Sequence, residues 1–200
     1  MTSLRKPGLA TLLLAGLLAL AVPALAAQYD IDVAHSTVGF KVKHMAVSWV
    51  KGTFDDFGGT FSFDPAAPAG AKVDAEIKMA SISTGNAKRD GHLLSPDFFD
   101  AEKFPTMTFA STGLEMTSAT EGVLKGNLTM HGVTREVALA LTYNGGVKDP
   151  WGTERVGFSA TGTLNRQDYG LTYNTVLETG GLAVGNDIYL TIEIEGTLKK

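Results

Sequence analysis

The stretch IYLTIEIE, residues 188–195, indicates the class of fold. Its Ile and Leu side chains alternate with Tyr, Thr and Glu, so an aliphatic residue recurs at every second position. Successive side chains of a strand point to opposite faces, and a period of two is typical of a strand with one buried face and one exposed face. The stretch therefore predicts a half-buried β-strand.

The same alternation recurs toward the amino terminus. Clear examples lie at residues 37–43, 72–79 and 136–143, and weaker ones lie at residues 59–63, 104–111, 123–130 and 155–164. Turn residues such as the Asn-Gly-Gly run at 144–146 separate most of these segments. We therefore predict an all-β domain of about eight antiparallel strands. Such strands bury one face either in a two-sheet sandwich or in a closed barrel, and periodicity does not choose between them.

One segment, residues 86–100, interrupts the strand pattern. Ser95 followed by Pro96 is typical of a helix start, because Ser caps the first turn and Pro at the first helical position loses no hydrogen bond. We predict two short helical segments that meet at Ser95. Leu94 and Phe98 would then cover one end of the β structure, either as a plug or as a lid over a cavity.

The amino terminus has the pattern of a secretory signal peptide. Arg5 and Lys6 precede an uncharged Leu/Ala-rich run at residues 9–22, and Ala-Leu-Ala at residues 24–26 forms a small-x-small cleavage site. The apolar run is shorter than the ~20 residues that span a bilayer, so cleavage after Ala26 is favoured over a retained anchor. We predict a leader at residues 1–26, a mature domain at residues 27–200 and a periplasmic location.

Composition argues against several classes of protein. The chain has 17 basic and 21 acidic residues, a net charge of −4, and the predicted leader contains two of the cations. General nucleic-acid binding needs clustered cations, so we predict no nucleic-acid partner. The Cys count is 0, which excludes disulfides, thiol nucleophiles and cysteine-based metal sites.

Local motifs for catalysis or metal binding are absent from the sequence. His35, His44, His92 and His131 are far apart and form no metal-ligand pair, and no Gly-x-Ser-x-Gly elbow or phosphate-binding loop occurs. We therefore predict no metal, no cofactor and no catalytic residue. An enzyme whose site is assembled from distant residues stays an alternative, with His92 or His131 as its general base.

Several specific motifs follow one another along the predicted mature domain. They are YDIDVAHSTVGF at 29–40, GTF at 52–54 and at 59–61, NAKRDGHL at 86–93, SPDFFD at 95–100, FPTMTF at 104–109, LTMHGVTR at 128–135 and NRQDYGL at 165–171. In content and order they resemble the YceI-like polyisoprenoid-binding family. The resemblance implies a lipocalin-like closed antiparallel barrel with an elongated apolar tunnel, which holds a long isoprenoid or similar chain such as a prenyl diphosphate, a quinone or a fatty amide.

The resemblance also turns the inward-facing apolar residues into candidates for the tunnel lining. The predicted lining comprises Phe40, Val42, Phe54, Phe61, Ile77, Met79, Leu94, Phe98, Phe99, Met107, Phe109, Leu128, Met130, Leu139, Leu141, Phe158, Leu190 and Ile192. Arginine binds phosphate in a bidentate manner, so cations near the tunnel mouth are candidates for the lipid head group. These are Arg89, His92, Arg135 and Arg166, with Lys41 and Lys43 further away. The alternative is that these cations pair with neighbouring carboxylates of the protein.

Three hypotheses about function follow. The first is a periplasmic lipid carrier or sequestering protein that performs no chemistry. The second is a lipid-modifying enzyme that uses the same cavity, and the third is a β-domain with a filled interior that serves protein interaction only. Transient membrane contact is compatible with the first, and the sequence leaves the oligomeric state open, a dimer included.

Overall fold

The barrel wall is made of interrupted and continuous antiparallel strands. A computed structural model describes residues 26–178 and 180–199, so the predicted leader lies outside the described residues apart from Ala26. The strands are β1 (Ala27–Ile31), β2 (Thr37–His44), β3 (Ser48–Phe54), β4 (Phe57–Phe63), β5 (Lys72–Lys78), β6 (Ile82–Ser83), β7 (Thr106–Met116), β8 (Glu121–Met130), β9 (Val133–Lys148), β10 (Glu154–Asn165) and β11 (Val184–Leu198). One α-helix, α1 (Ala87–Leu94), and four short 3-10 turns complete the described elements.

Strand pairing closes the sheet into a ring. The order around the ring is β1-β4-β5-β7-β8-β9-β10-β11, and β11 pairs back with β1. β1 and β2 behave as one interrupted strand, because β1 pairs with the carboxyl-terminal end of β11 and β2 pairs with its earlier part. β3 continues into β4, and β5 into β6, in the same manner. The result is an eight-stranded up-and-down barrel, which leaves no long unpaired sheet edge.

The predicted all-β class and the closed barrel are confirmed. Each of the eight predicted strand segments falls in a different one of the eight long strands. The prediction of two helical segments that meet at Ser95 is wrong, since Ser95 ends α1 instead of starting a second helix. Asn86 caps the start of α1 by accepting a hydrogen bond from the Arg89 amide at 3.0 Å, and the Ser95 hydroxyl donates back to the His92 carbonyl at 2.7 Å. Residues 96–99 form turns.

The two ends of the barrel differ in how they are covered. The end that we call the α1 end holds the turn at 45–47, residues 79–105, the turn at 131–132 and residues 166–183. Its core is a buried cluster that includes Met79, Met130, Tyr169 and Leu171, against which Leu93, Leu94 and Phe99 pack. A second cluster fills the opposite end, with Phe61, Phe63, Leu124 and Leu141 among its buried members.

Glycines on the inner face allow aromatic rings to lie against the wall. A Cβ atom on Gly52 would lie 2.5 Å from Cζ of Phe40, and one on Gly162 would lie 2.6 Å from Cδ2 of Leu139. The ring of Phe109 lies over Gly126, and the ring of Phe61 lies over Gly196, in even closer contacts. A glycine in a strand often marks such a close approach, and here it leaves space at the barrel axis.

We predict that Gly196→Ala destabilises the fold by about 1–3 kcal/mol, because the new methyl group displaces the Phe61 ring from the wall. Urea unfolding followed by circular dichroism measures this change. Gly113→Ala is the matched control, since no atom lies within 4 Å of the position that its methyl group would take. Adding Phe61→Leu to Gly196→Ala should recover part of the loss, and strictly additive effects of the two substitutions would contradict the ring-over-glycine contact.

Candidate ligand-binding cavity

The barrel encloses an apolar cavity of about 170 Å³. Strands from all sides of the ring contribute to its lining, including Ile31 from β1, Phe109 from β7 and Ile194 from β11. Of the described residues that line it, Ser62 is the one with a polar side chain, and its hydroxyl accepts a hydrogen bond from the Lys72 amide at 3.2 Å. The cavity therefore offers hydrocarbon contacts and no charge.

Most of the predicted lining residues surround this cavity. They are Phe40, Phe54, Phe61, Ile77, Met107, Phe109, Leu128, Leu139, Leu141, Phe158, Leu190 and Ile192. Alternation explains this agreement, because the inward face of each strand carries every second residue. The cavity places these side chains together, and their contact with a ligand stays a prediction.

Six predicted lining residues lie outside the cavity wall. Met79, Phe98 and Met130 are buried at the α1 end, where Leu94 and Phe99 pack against the same cluster. They form the end cover of the barrel and not its side wall. Val42 lies beyond Phe40, the last lining residue of β2, between Ile188 and Val50 of the neighbouring strands.

Several lining residues were missed at the sequence level. Phe57, Phe63 and Leu164 are buried and line the cavity, as do Leu114 and Leu124. Leu124 stands four positions before Leu128 on β8, so the period of two was the signal that identifies it. Phe57 and Phe63 lie at the two ends of β4, where a short strand gives the period too few repeats.

Aromatic rings crowd the cavity wall opposite the α1 end. The rings of Phe61 and Phe158 meet edge to face with centroids 5.6 Å apart, and those of Phe63 and Phe158 do so at 4.9 Å. Tyr143 completes the group, at 5.3 Å from Phe158. These separations are those of favourable aromatic pairs, so the group closes this end with hydrocarbon surface.

Arg166 is a structural residue and not a free head-group ligand. It is only 3% exposed, and its guanidinium donates to the carbonyl oxygens of Leu171 and Gly185, the latter at 3.0 Å. Burial lowers the pKa of this guanidinium. Its hydrogen bonds hold residues 171–185 to the 3-10 turn Arg166–Tyr169, which corrects the prediction that it faces a lipid.

The other three predicted head-group residues also lie at the α1 end but are engaged with the protein. Arg89 donates to the hydroxyl and the carbonyl oxygen of Thr84, at 2.7 and 2.8 Å. Arg135 donates to the Asp168 carbonyl at 3.3 Å. His92 bonds Asp97 at 2.8 Å on the exposed side of α1. None of the three lines the described cavity.

The two histidines of the enzyme hypothesis face partners outside the cavity lining. Nδ1 of His131 lies 3.0 Å from the Tyr169 carbonyl oxygen, and its ring packs against Phe104 with centroids 4.7 Å apart. His92 contacts the rings of Phe98 and Tyr173 at 5.1 and 5.0 Å. Both histidines therefore help to build the α1 end.

One group of potential metal ligands, Asp32, His35 and Glu195, lies on the outside of the barrel with its ligand atoms within 4.8 Å of one another. The Arg155 guanidinium already bonds two of them, with Nη1 2.7 Å from Oδ2 of Asp32 and also in contact with Glu195. Its Nε lies 2.9 Å from Oδ2 of Asp149. Arg155 thus supplies the positive charge of this group and links β10 to the junction of β1 and β2.

Hydrogen bonds to this group stabilise the charged carboxylates. Bonds from His35 and from Arg155 lower the pKa of Asp32, and the bond from Arg155 is the main cause that lowers the pKa of Asp149. A carboxyl whose pKa is lower in the folded state stabilises the fold above its unfolded pKa, ~3.9 for Asp. That stabilisation is lost as the pH falls through the folded pKa.

In the described part of the chain, no helix combines the length and the hydropathy needed to cross a bilayer.

Comparison with known proteins assigns the family. The chain matches the model of the YceI-like domain over residues 29–196, and it belongs to that family. It is 42% identical over 197 residues to a UPF0312 protein of Pseudomonas savastanoi pv. phaseolicola, covering 98% of this chain and 99% of the relative.

Solved structures share the same barrel. The YCEI protein of Campylobacter jejuni is 38% identical, with a TM-score of 0.69 over 84% of this chain and 96% of that one. A polyisoprenoid binding domain from Saccharophagus degradans gives a TM-score of 0.60 at 16% identity, over 88% of this chain and 100% of that one. At that identity the second similarity shows the fold alone.

We predict that Arg155→Met lowers the free energy of unfolding at neutral pH and that the difference from the wild type narrows below about pH 4, where the carboxylates are protonated. Urea unfolding at pH values from 7 to about 3 measures the difference. Lys125→Met removes an exposed ion pair with Glu115 and should cost less at every pH. A difference that is constant with pH would contradict the assigned role.

We also predict that Arg166→Met destabilises the fold by at least about 2 kcal/mol, because it leaves the buried carbonyls of Leu171 and Gly185 without donors. Arg135→Met is the matched control and should cost under about 0.5 kcal/mol, since Arg135 is exposed. Equal unfolding midpoints for the two variants in urea would show that Arg166 has no special structural role.

Proposed function

We propose that this protein binds one long apolar lipid chain, of isoprenoid or similar type, inside the barrel and acts as a periplasmic carrier or sequestering protein. The observation that carries the proposal is the cavity, whose lining is apolar except for the hydrogen-bonded Ser62. An eight-stranded barrel has an interior that side chains can nearly fill or that can hold one small ligand, and this interior has free space at its centre. The name of the Saccharophagus degradans domain supports the same class of ligand.

The character of the cavity favours hydrocarbon over water. An engineered cavity of 150 Å³ lined by Leu, Ile and Phe stays dry and binds benzene. The cavity of this barrel, at about 170 Å³, has the same chemistry and a similar size. A water molecule needs two to four polar partners, which the lining does not provide. An apolar ligand therefore has no ordered water to displace.

A long chain needs more room than benzene, so we propose that the α1 end opens as a lid. This end is closed by side chains, among them Leu94, Phe98 and Phe99, and not by the strands of the barrel. The α1 segment donates and accepts few bonds to the barrel strands, whereas its own turns are internally bonded. Its outward movement would extend the cavity along the barrel axis without breaking the strand ladder.

The affinity of such a site is limited by the state from which the lipid comes. Burial contributes ~0.8 kcal/mol per CH₂ relative to water, so a chain of about forty carbons would exceed the ~20 kcal/mol ceiling of noncovalent binding. Ordering the chain offsets part of this gain. Relative to a membrane the apolar contribution nearly cancels, and this suits a carrier that must both take up and release its lipid.

Binding fits the geometry better than catalysis does. His92 and His131, the general bases of the enzyme hypothesis, bond Asp97 and the Tyr169 carbonyl instead of lining the cavity. The hollow interior also differs from the filled core that the protein-interaction hypothesis assumes.

We predict that Ala160→Trp abolishes lipid uptake, because Ala160 is buried on the inner face of β10 and an indole there would fill the cavity. Native mass spectrometry of protein purified from a bacterial extract, followed by lipid extraction and by addition of a prenyl lipid, measures the bound fraction. Ala140→Trp, on the exposed outer face of β9, is the matched control and should bind as the wild type does.

Both variants need a circular dichroism spectrum and a urea midpoint, so that loss of binding is separated from loss of fold. Unchanged uptake by a folded Ala160→Trp variant would contradict the proposed binding site. Wild-type protein that is recovered empty and also rejects added prenyl lipids would contradict the proposed function itself.

A further inference from the structure

An exposed surface at the α1 end combines apolar and basic side chains. We call it the lysine–tryptophan patch and define it by Lys41 and Lys43 of β2, the turn at 45–47, and Trp49 and Lys51 of β3. Val47 is 83% exposed, Met45 43% and Trp49 39%. Apolar residues of this size in a protruding turn lack any packing role in the described part of the chain.

The backbone of the turn is strained in a way that its sequence does not explain. The Val47 amide donates to the His44 carbonyl at 3.1 Å, and the two residues between them, Met45 and Ala46, have φ angles of +50° and +61°. This is a type I′ turn, for which Asn-Gly is strongly preferred because side chains with a Cβ disfavour positive φ. Local strain that is retained at an exposed position points to a function for the side chains.

The cations of the patch are held together without carboxylate partners. The register places Lys43 opposite Trp49 and Lys41 opposite Lys51. The Nζ atoms of Lys43 and Lys41 lie 4.2 and 4.9 Å from the centroid of the Trp49 ring. Like charges directly opposite each other destabilise a strand pair.

No carboxylate of the described chain lies within 4.0 Å of these three ammonium groups, although Lys78 and Lys125 each have one. The chain as a whole carries a net charge of −4. The patch is therefore a positive region on an acidic protein, and its charges point to an anionic partner outside the chain.

A neighbouring loop extends the apolar surface. The Met45 amide donates to the Ala183 carbonyl at 2.8 Å, so the end of the segment 171–183 lies beside the turn. Leu182 and Val176 of this segment pair with each other in an isolated bridge and are 42% and 71% exposed. The apolar tip at 45–47 and this loop thus form adjoining projections at the same end of the barrel.

We propose that the lysine–tryptophan patch docks the α1 end of the barrel onto an anionic phospholipid bilayer. Trp concentrates at membrane interfaces because its ring is amphipathic, and Lys keeps its charge at the phosphate level while its stem lies along apolar surface. Met45 and Val47 would enter the boundary between head groups and acyl chains, and the three lysines would meet the anionic lipids. This inference goes beyond lipid binding in the cavity, because docking does not require that the cavity be occupied.

The two tryptophans provide a direct test. Trp151 is 85% exposed and lies in the β9–β10 connection at the opposite end of the barrel. In a Trp151→Phe protein, vesicles of phosphatidylglycerol and phosphatidylcholine should shift the Trp49 emission to the blue and protect it from a soluble quencher. In the matched Trp49→Phe protein, the Trp151 emission should not change.

Charge variants test the anionic partner. The triple variant Lys41→Gln, Lys43→Gln and Lys51→Gln should bind the mixed vesicles about a hundredfold more weakly, given roughly fivefold for each lysine. The control Lys72→Gln, Lys148→Gln and Lys199→Gln removes the same charge from the opposite end and should lose less than about threefold. Vesicles of phosphatidylcholine alone should bind the wild-type protein weakly.

Met45→Asn with Ala46→Gly separates function from stability. This pair supplies the preferred residues of the type I′ turn, so the midpoint of thermal unfolding should rise while vesicle binding falls severalfold. A merely structural role of Met45 would predict no loss of binding.

Several results would overturn the proposal. They are an unchanged Trp49 emission with anionic vesicles, equal losses in the two lysine triple variants, or a response of Trp151 in place of Trp49. Concentration-dependent dimerisation through Trp49 in the absence of vesicles would assign the patch to a second copy of the chain. Each of these outcomes is independent of prenyl-lipid uptake by the cavity, so the failure of docking and the failure of the proposed function remain distinguishable.

Discussion

The contact between inward-facing aromatic rings and the glycines beside them is the constraint on which this barrel depends. An eight-stranded barrel is narrow enough for side chains to fill it. Where Phe40, Phe61 and Phe109 lie flat over Gly52, Gly196 and Gly126, the rings cover the wall and leave the axis free. The same contacts bury the glycine backbone. A cavity and a stable wall therefore result from one arrangement, and any added methyl group at these glycines changes both.

Polar groups of the molecule are arranged so that the interior stays apolar. Arg166 satisfies backbone carbonyls at the α1 end, Arg155 collects carboxylates on the outer surface, and Ser62 bonds the neighbouring strand. These bonds hold segments that carry no regular strand pairing. They leave the cavity without a charged or unsatisfied lining group, which is the property that a site for a hydrocarbon chain requires.

The α1 end joins the two proposals. It is closed by side chains of α1 and its following turns, and the apolar turn at 45–47 projects from the same end. A barrel that docks there would present its cover to the bilayer, where hydrocarbon chains are found. The opposite end is closed by packed aromatic rings and by three hairpin or loop connections. The asymmetry of the two ends gives the protein a direction along the barrel axis.

Strand periodicity was sufficient to place all eight long strands and twelve of the lining side chains, because alternation depends on the covalent geometry of the strand and is local in the chain. It did not show that Met79, Phe98 and Met130 close the end of the barrel, that Ser95 ends a helix, or that Arg166 is consumed by backbone carbonyls. These outcomes depend on segments far apart in sequence that meet only when the ring closes. Barrel or sandwich, and free or engaged cation, are questions of such long-range contacts, and local patterns carry no information about them.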